Sequence, residues 1–162
     1  MATTRRDPAE RRACLRLFYR NWRPTRLGRH VSGALGWLSG LGLTPQILIT
    51  LQVKGRRSGR LRSKVLVVAR HDGQRYLVSM LGEASDWVRN VRAAGGEAFV
   101  RRGRSRPVKL TEVPVSERGP ILKAYCHVAT SGRHHFPVPH AAPISEFDAI
   151  AEHYPVFRID SA

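Results

Sequence analysis

From Ile47 onward the apolar residues of this chain recur at every second position. Ile47, Ile49, Leu51 and Val53 fall on one face of a strand and leave no helical stripe. The loop Gly55–Gly59 follows, then a second strand over about 61–70, "LRSKVLVVAR". Asp72-Gly73 is the signal of a tight hairpin, and a third strand, "RYLVSML", is expected to end near Gly82. "EAFVRRGRSRPVKLTEV" reads as two strands joined at Gly103, with Pro107 suited to an edge or a bulge, and "PVFRI" as a last strand. Strands linked by hairpins and short helices predict an α+β fold: a mostly antiparallel sheet of about six to seven strands that closes into a small barrel.

Helical signals flank this sheet. Asp7-Pro8-Ala9-Glu10 has the pattern of a helix start, and a helix is expected from about 8 to 22. A second is expected from Pro24 to the glycines at 40–42. Ser85 is placed to cap "DWVRNVRAA", which Gly95-Gly96 ends. Further helices are expected from Ser116 to about Ala129 and over 144–152. No linker or repeat divides the 162 residues, so one domain is predicted, with a helical segment at 1–44 and the barrel at 45–162.

The charge is one-sided. The formal net charge is +16, of which residues 1–71 carry +14. Such a field favours anionic partners: nucleic acid, acidic lipid or a multiply charged small molecule. No helix-turn-helix, zinc-finger or RNP-type signature accompanies it, which argues against nucleic acid. Two distant cysteines, Cys14 and Cys126, form no disulfide framework and fit a reducing cytoplasm. The N-terminus lacks the apolar run of a secretory signal. Residues 31–53 are uncharged over the length of a membrane span, but their glycines and Pro45 read instead as a short helix, a break and a buried strand. Basic residues ahead of that Trp-containing segment suit peripheral contact with an acidic membrane at the cytoplasmic face.

The densest charge is "GRRSGRLRS", residues 55–63, between Lys54 and Lys64. Its glycines permit close backbone approach, and Ser58 adds a hydroxyl. Two readings stand: a solvated turn, or a grip on phosphate and carboxylate groups. For Arg101, Arg102, Arg104 and Arg106 around Gly103, a solvated hairpin tip is the better reading. Trp87 and Asn90 share a side of their helix; Trp87 is either core or one wall of a flat-ring pocket. Ser79, Tyr125 and His127 are candidate proton donors. His127, His134, His135, His140 and Cys126 lack tight zinc-ligand spacing, so no metal is expected.

The ordered set Gly55-Arg56-Arg57-Ser58-Gly59 with Arg62, then Asp72-Gly73, Tyr76 to Ser79, and Trp87 with Asn90, resembles the deazaflavin-dependent nitroreductase family of actinobacteria. The resemblance implies a split β-barrel oxidoreductase that binds coenzyme F-420, with FMN as the alternative cofactor, and passes hydride to a small organic acceptor such as a quinone, an enone or a nitro compound. It assigns the coenzyme's phosphate and acidic tail to Lys54, Arg56, Arg57, Ser58, Gly59, Arg62 and Lys64. It assigns the ring to Met80, Leu81, Trp87 and Asn90. Related barrels dimerise, so a homodimer is a further expectation.

Overall fold

The computed structural model describes residues 19–20, 23–24 and 47–162. Tyr19–Arg20 (β1) and Arg23–Pro24 (β2) pair as a minimal antiparallel ladder, Tyr19 opposite Pro24 and Arg20 opposite Arg23. This corrects both expected N-terminal helices at their junction. The first does not run to 22, and the second does not start at Pro24. Pro24 lacks an N–H and pushes Arg23 toward extended backbone, which favours the ladder. The remainder of those two helices, and the boundary at 44, lie outside the described residues.

Six strands form a closed antiparallel barrel, in the order β3 (Leu48–Lys54), β4 (Leu61–His71), β5 (Gln74–Val78), β8 (Val156–Ser161), β7 (Arg104–Glu112), β6 (Glu97–Arg102), with β6 pairing back to β3. Alternation along these strands makes two cores. Ile49, Leu51, Val53, Val68, Leu77, Val100, Leu110, Phe157 and Ile159 fill the barrel. Ala69, Tyr76, Val78 and Val156 face outward and are covered by α2 (Arg118–Val128) and α3 (Ile144–Ile150) through Ile121, Leu122, Tyr125 and Phe147.

The short helix α1 (Asp86–Ala93) turns Trp87, Val88 and Val91 into the barrel core. The Trp87 ring meets Phe157 edge-on, with centroids 5.5 Å apart. Such an aromatic pair adds about 0.5–1.5 kcal/mol to its area burial. The core reading of Trp87 is therefore the one the structure bears out.

The registers define two barrel ends. At one end lie the 55–60 loop, the 79–85 turn, α1 and the start of β8. At the other lie the 71–74 hairpin, the 102–104 hairpin and Ile47. Pro107 pairs with Phe99 on β6 and lies beyond the β8 ladder, which begins at Val108, so its missing N–H costs nothing there. The expected third strand stops at Val78 rather than near Gly82, because Gly82 N–H bonds back to the Ser79 carbonyl at 2.9 Å and closes a turn.

α1 ends where the glycine pair predicts. Gly95 and Gly96 have φ of 61° and 86°, and Gly96 N–H bonds the Val91 carbonyl at 2.9 Å. A Cβ on Gly96 would stand 2.5 Å from the Leu110 carbonyl oxygen; one on Gly95 would meet nothing within 4 Å. Gly95→Ala is expected to cost about 1 kcal/mol, the left-handed backbone alone. Gly96→Ala is expected to cost at least about 2 kcal/mol more, since β7 must also shift. Urea unfolding of both variants measures the difference.

Candidate functional site

The basic loop is tied down at its start. Gly59 N–H bonds the Gly55 carbonyl at 2.8 Å, and Gly55 N–H bonds the Arg60 carbonyl at 2.9 Å. The Arg56 backbone N–H reaches Asn90 Oδ1 on α1 at 3.2 Å, and Arg56 Nη1 reaches the same oxygen at 2.9 Å. Both guanidinium Nη atoms also lie 3.1 Å from Asp86 Oδ1. Asn90 is buried, and its oxygen would be costly to leave unpaired. Arg56 is thus committed to α1.

The rest of the cluster faces outward. Arg57, Ser58, Gly59, Arg60, Arg62 and Lys54 are exposed. Arg62 Nη2 lies 3.5 Å from the Ser58 hydroxyl. Arg62 stands opposite Val53 and Lys64 opposite Leu51, so both take the inward-turned side of β4. Arg60 lies in the loop, before the strand begins at Leu61, so an extended row on that side holds Arg62 and Lys64 alone. Pairing of β4 with β5 begins only at Val68; over 61–67 the described residues supply β3 alone as a partner. Lys64 is half-buried, and burial lowers the pKa of its ammonium. Among the described residues no carboxylate pairs with Arg57, Arg60, Arg62 or Lys64.

The 79–85 turn lies at the same barrel end, joined to the loop through α1. Ser79 is 1% exposed. Its hydroxyl lies 2.8 Å from the Gly82 carbonyl and 2.7 Å from Ser85 Oγ. A carbonyl only accepts, so the Ser79 proton goes to Gly82. Ser85 stands at the helix N-cap, but its hydroxyl serves this turn instead of capping an α1 amide. Beyond the turn, Arg92 binds Glu83 and Glu112, and Glu112 also accepts from the buried Arg118 at 3.1 Å. Arg118 donates onward to the Val113 and Ala151 carbonyls. The Arg92 hydrogen bonds hold the Glu83 carboxyl below the usual range. One ionic network therefore joins the turn, α1, β7, α2 and the 151–153 turn.

Met80 and Leu81 sit on this turn and line a shallow cleft with Gly82, His153 and Tyr154. Tyr154 donates its hydroxyl to the His135 carbonyl at 3.1 Å, and burial raises its pKa. The sequence reading missed His153 and Tyr154. The signal was their place just before "PVFRI", the strand that pairs with β5 and so returns the chain beside residues 79–82. Tyr125 is buried on α2. A Cβ on Gly132 would lie 2.8 Å from the Tyr125 hydroxyl and 3.2 Å from the Met80 sulfur, which puts Tyr125 directly behind the cleft. His127 is exposed, with its ring 5.9 Å from that of His140, and does not line the cleft. Among the described residues no group of His, Cys, Asp or Glu is arranged to hold a metal. Among them, too, no helix is long and apolar enough to cross a membrane.

The family model of the F420H(2)-dependent quinone reductases matches residues 25–128, well over half of the chain. No curated protein matches. Among solved structures, one described as a domain-swapped dimer has 18% identity and a TM-score of 0.47, over 83% of this chain and 94% of that one. An F420-H2 dependent reductase (FDR-A) has 20% identity and a TM-score of 0.44, over 71% of this chain and 95% of that one. The protein Atu2129 of Agrobacterium tumefaciens, of unknown function, has 10% identity and a TM-score of 0.53, over 82% of this chain and 56% of that one. Only the last has a TM-score above 0.5, and at 10% identity it bears on the fold alone.

Lys64 offers a direct test of the site's charge. Its charged form is disfavoured by burial, a cost present at neutral pH and relieved only as pH rises through the lowered pKa. Lys64→Met is expected to leave the free protein as stable or up to about 1 kcal/mol more stable. Inorganic phosphate is expected to raise the thermal midpoint of the wild type more than that of the variant, as calorimetry at pH 7 would read.

Proposed function

The chain belongs to the F420H(2)-dependent quinone reductase family, and on that premise we propose that it binds the coenzyme across one barrel end and reduces a quinone there. The protein is an F-420-dependent reductase, an oxidoreductase with coenzyme F-420 as its cofactor. The residues present fit that group. Its phosphate and acidic tail need cations that are free to pair. Arg57, Arg60 and Arg62 are exposed without carboxylate partners among the described residues, and the half-buried Lys64 ammonium lacks one as well. That uncompensated charge is the observation that carries the proposal.

In this reading Arg57, Ser58, Gly59, Arg62 and Lys64 hold the tail, with Lys54 at the loop's edge. Arg56 acts differently: bonded to Asn90 and Asp86, it fixes the loop relative to α1. Trp87 and Asn90 act through the same fixation, Trp87 from the core and Asn90 at the loop. Met80 and Leu81 border the ring. When bound, the reduced coenzyme supplies hydride to an electrophilic carbon of the acceptor. The chain's work is positioning, which the Glu83–Arg92–Glu112–Arg118 network supports by immobilising the 79–85 turn. A proton must also reach the acceptor's oxygen. Ser79 gives its proton to the Gly82 carbonyl, and Tyr154 gives its own to His135. We assign the proton to His153, which lines the cleft, with Tyr125 behind it. A homodimer belongs to the same proposal, supported by the half-buried Val65 on the stretch of β4 that lacks a second strand among the described residues; its neighbours Leu66 and Val67 pack on the two cores of the chain itself.

Fluorescence titration with coenzyme F-420 at low salt tests the reading. The wild type is expected to bind at micromolar concentration or below. Arg57→Ala/Arg62→Ala is expected to bind about a hundredfold more weakly, two charge-assisted hydrogen bonds being lost. Equal binding by wild type and variant would remove the loop from the site.

A further inference from the structure

Ser58 stands at the tip of the loop that carries the uncompensated charge. Arg56-Arg57 precede it, and Arg60 and Arg62 follow. Its hydroxyl is exposed, and Arg62 Nη2 lies 3.5 Å from it. Among the described residues no carboxylate pairs with Arg57, Arg60 or Arg62. The backbone N–H groups of Arg57 and Ser58 take no part in the bonds that close and anchor the loop, which use those of Gly55, Arg56 and Gly59. The chain therefore holds a hydroxyl among the donors that a phosphate would take.

Three described serines have arginine as a sequence neighbour: Ser58, Ser63 and Ser105. Ser63 pairs with Gln52 in the β3–β4 ladder, and its hydroxyl accepts from the Gln52 amide at 3.5 Å. Ser105 pairs with Arg101 in the β6–β7 ladder, and its hydroxyl lies 3.3 Å from Gln52 Oε1. Neither leaves its ladder without opening the barrel wall. Ser58 belongs to no ladder, and the anchor on Asn90 is made by Arg56, ahead of it. The tip is thus free to enter another enzyme's active site while the loop's base stays on α1.

We propose that Ser58 is a phosphorylation site, and that its phosphate closes the site of the coenzyme's tail. The inference rests on the reading that this loop holds the tail. The modifying enzyme is a serine kinase that recognises arginine beside its target, an acidic cleft being the complement of this loop. Ser58 Oγ attacks the γ-phosphorus of ATP, the bond to the bridging oxygen breaks, ADP leaves, and the hydroxyl proton passes to the kinase's base. The product carries about −1.5 to −2 charges at neutral pH and strong acceptor oxygens. Tethered beside Arg57 and Arg62, it competes at the high effective concentration of an intramolecular ligand. It takes the cations and amides that the tail needs, and its charge repels the tail's own. Arg56 is spent on Asn90 and Asp86, so the loop keeps its base when the tip is filled.

The full chain with phosphoserine encoded at position 58 would be compared with the unmodified protein. Its binding of coenzyme F-420, read by fluorescence at low salt, is expected to be about a hundredfold weaker, the effect of withdrawing two charge-assisted partners. Its thermal midpoint is expected to rise, and inorganic phosphate is expected to add less to it than to that of the unmodified protein. A phosphate that only disturbed the loop would lower the midpoint. An arginine-directed serine kinase with ATP is expected to modify the unmodified chain at Ser58, as peptide mass spectrometry would locate, and to leave Ser58→Ala without phosphate at this loop. Undiminished coenzyme binding by the phosphoprotein would overturn the proposal. So would a lowered midpoint, or modification confined to Ser63 or Ser105. Failure of the unmodified protein to bind the coenzyme would overturn the tail assignment beneath it, an outcome set apart because it appears without any phosphate.

Discussion

One side-chain oxygen organises the candidate site. Asn90 Oδ1, buried on α1, accepts hydrogen bonds from both the backbone and the guanidinium of Arg56. The helix itself is held by Trp87, whose ring sits against Phe157 in the barrel. The Trp-x-x-Asn spacing thus does two jobs on one turn of helix. Trp87 fixes the helix in the core, and Asn90 fixes the basic loop to the helix. With Arg56 spent on that bond and on Asp86, the remaining cations of the loop project outward from an anchored base. Preorganised charge of this kind binds an anion without the ordering cost a loose loop would incur.

The same barrel end is braced from its other side. Arg92 bridges Glu83 and Glu112, and Glu112 hands the network to the buried Arg118. Exposed ion pairs contribute little singly, but here one arginine serves two carboxylates and the chain of pairs ends on a buried guanidinium bonded to backbone carbonyls. The consequence is positional. The turn bearing Met80 and Leu81 is fixed relative to the turn bearing His153 and Tyr154. Among the described residues the barrel separates two clusters of arginine at opposite ends, one in the 55–62 loop beside the cleft and one of Arg70, Arg75, Arg102, Arg104 and Arg106.

Much of the barrel was legible because its signals are local. Period-two alternation marked β3, and Asp72-Gly73 marked a hairpin whose two residues have φ of 46° and 73°. The glycine pair after α1 stopped that helix. What the residues alone left open depends on distant partners. Arg56 reads as one more cation in a basic loop; its partners lie 30 and 34 positions away. Trp87 reads equally as core or as pocket wall until β8 supplies Phe157. Ser79 and Ser85 read as a proton donor and a helix cap, whereas they bond each other within a turn that also cuts the third strand short. His153 and Tyr154 join the site only because β8 pairs with β5, a contact that spans half the chain. At the N-terminus the helical pattern outweighed Pro24, whose effect on Arg23 was the stronger constraint.

The central claim is that the coenzyme's anionic tail lies on the latched loop, at the barrel end that carries the cleft. A crystal structure of the complex with coenzyme F-420 measures this directly. The account predicts tail phosphate and carboxylate oxygens within hydrogen-bond distance of Arg57, Arg62 and Lys64, with the ring against Met80 and Leu81 and the Arg56–Asn90 bond intact. A tail bound among Arg102, Arg104 and Arg106, or an Arg56 side chain that leaves Asn90 to bind the phosphate, would contradict it.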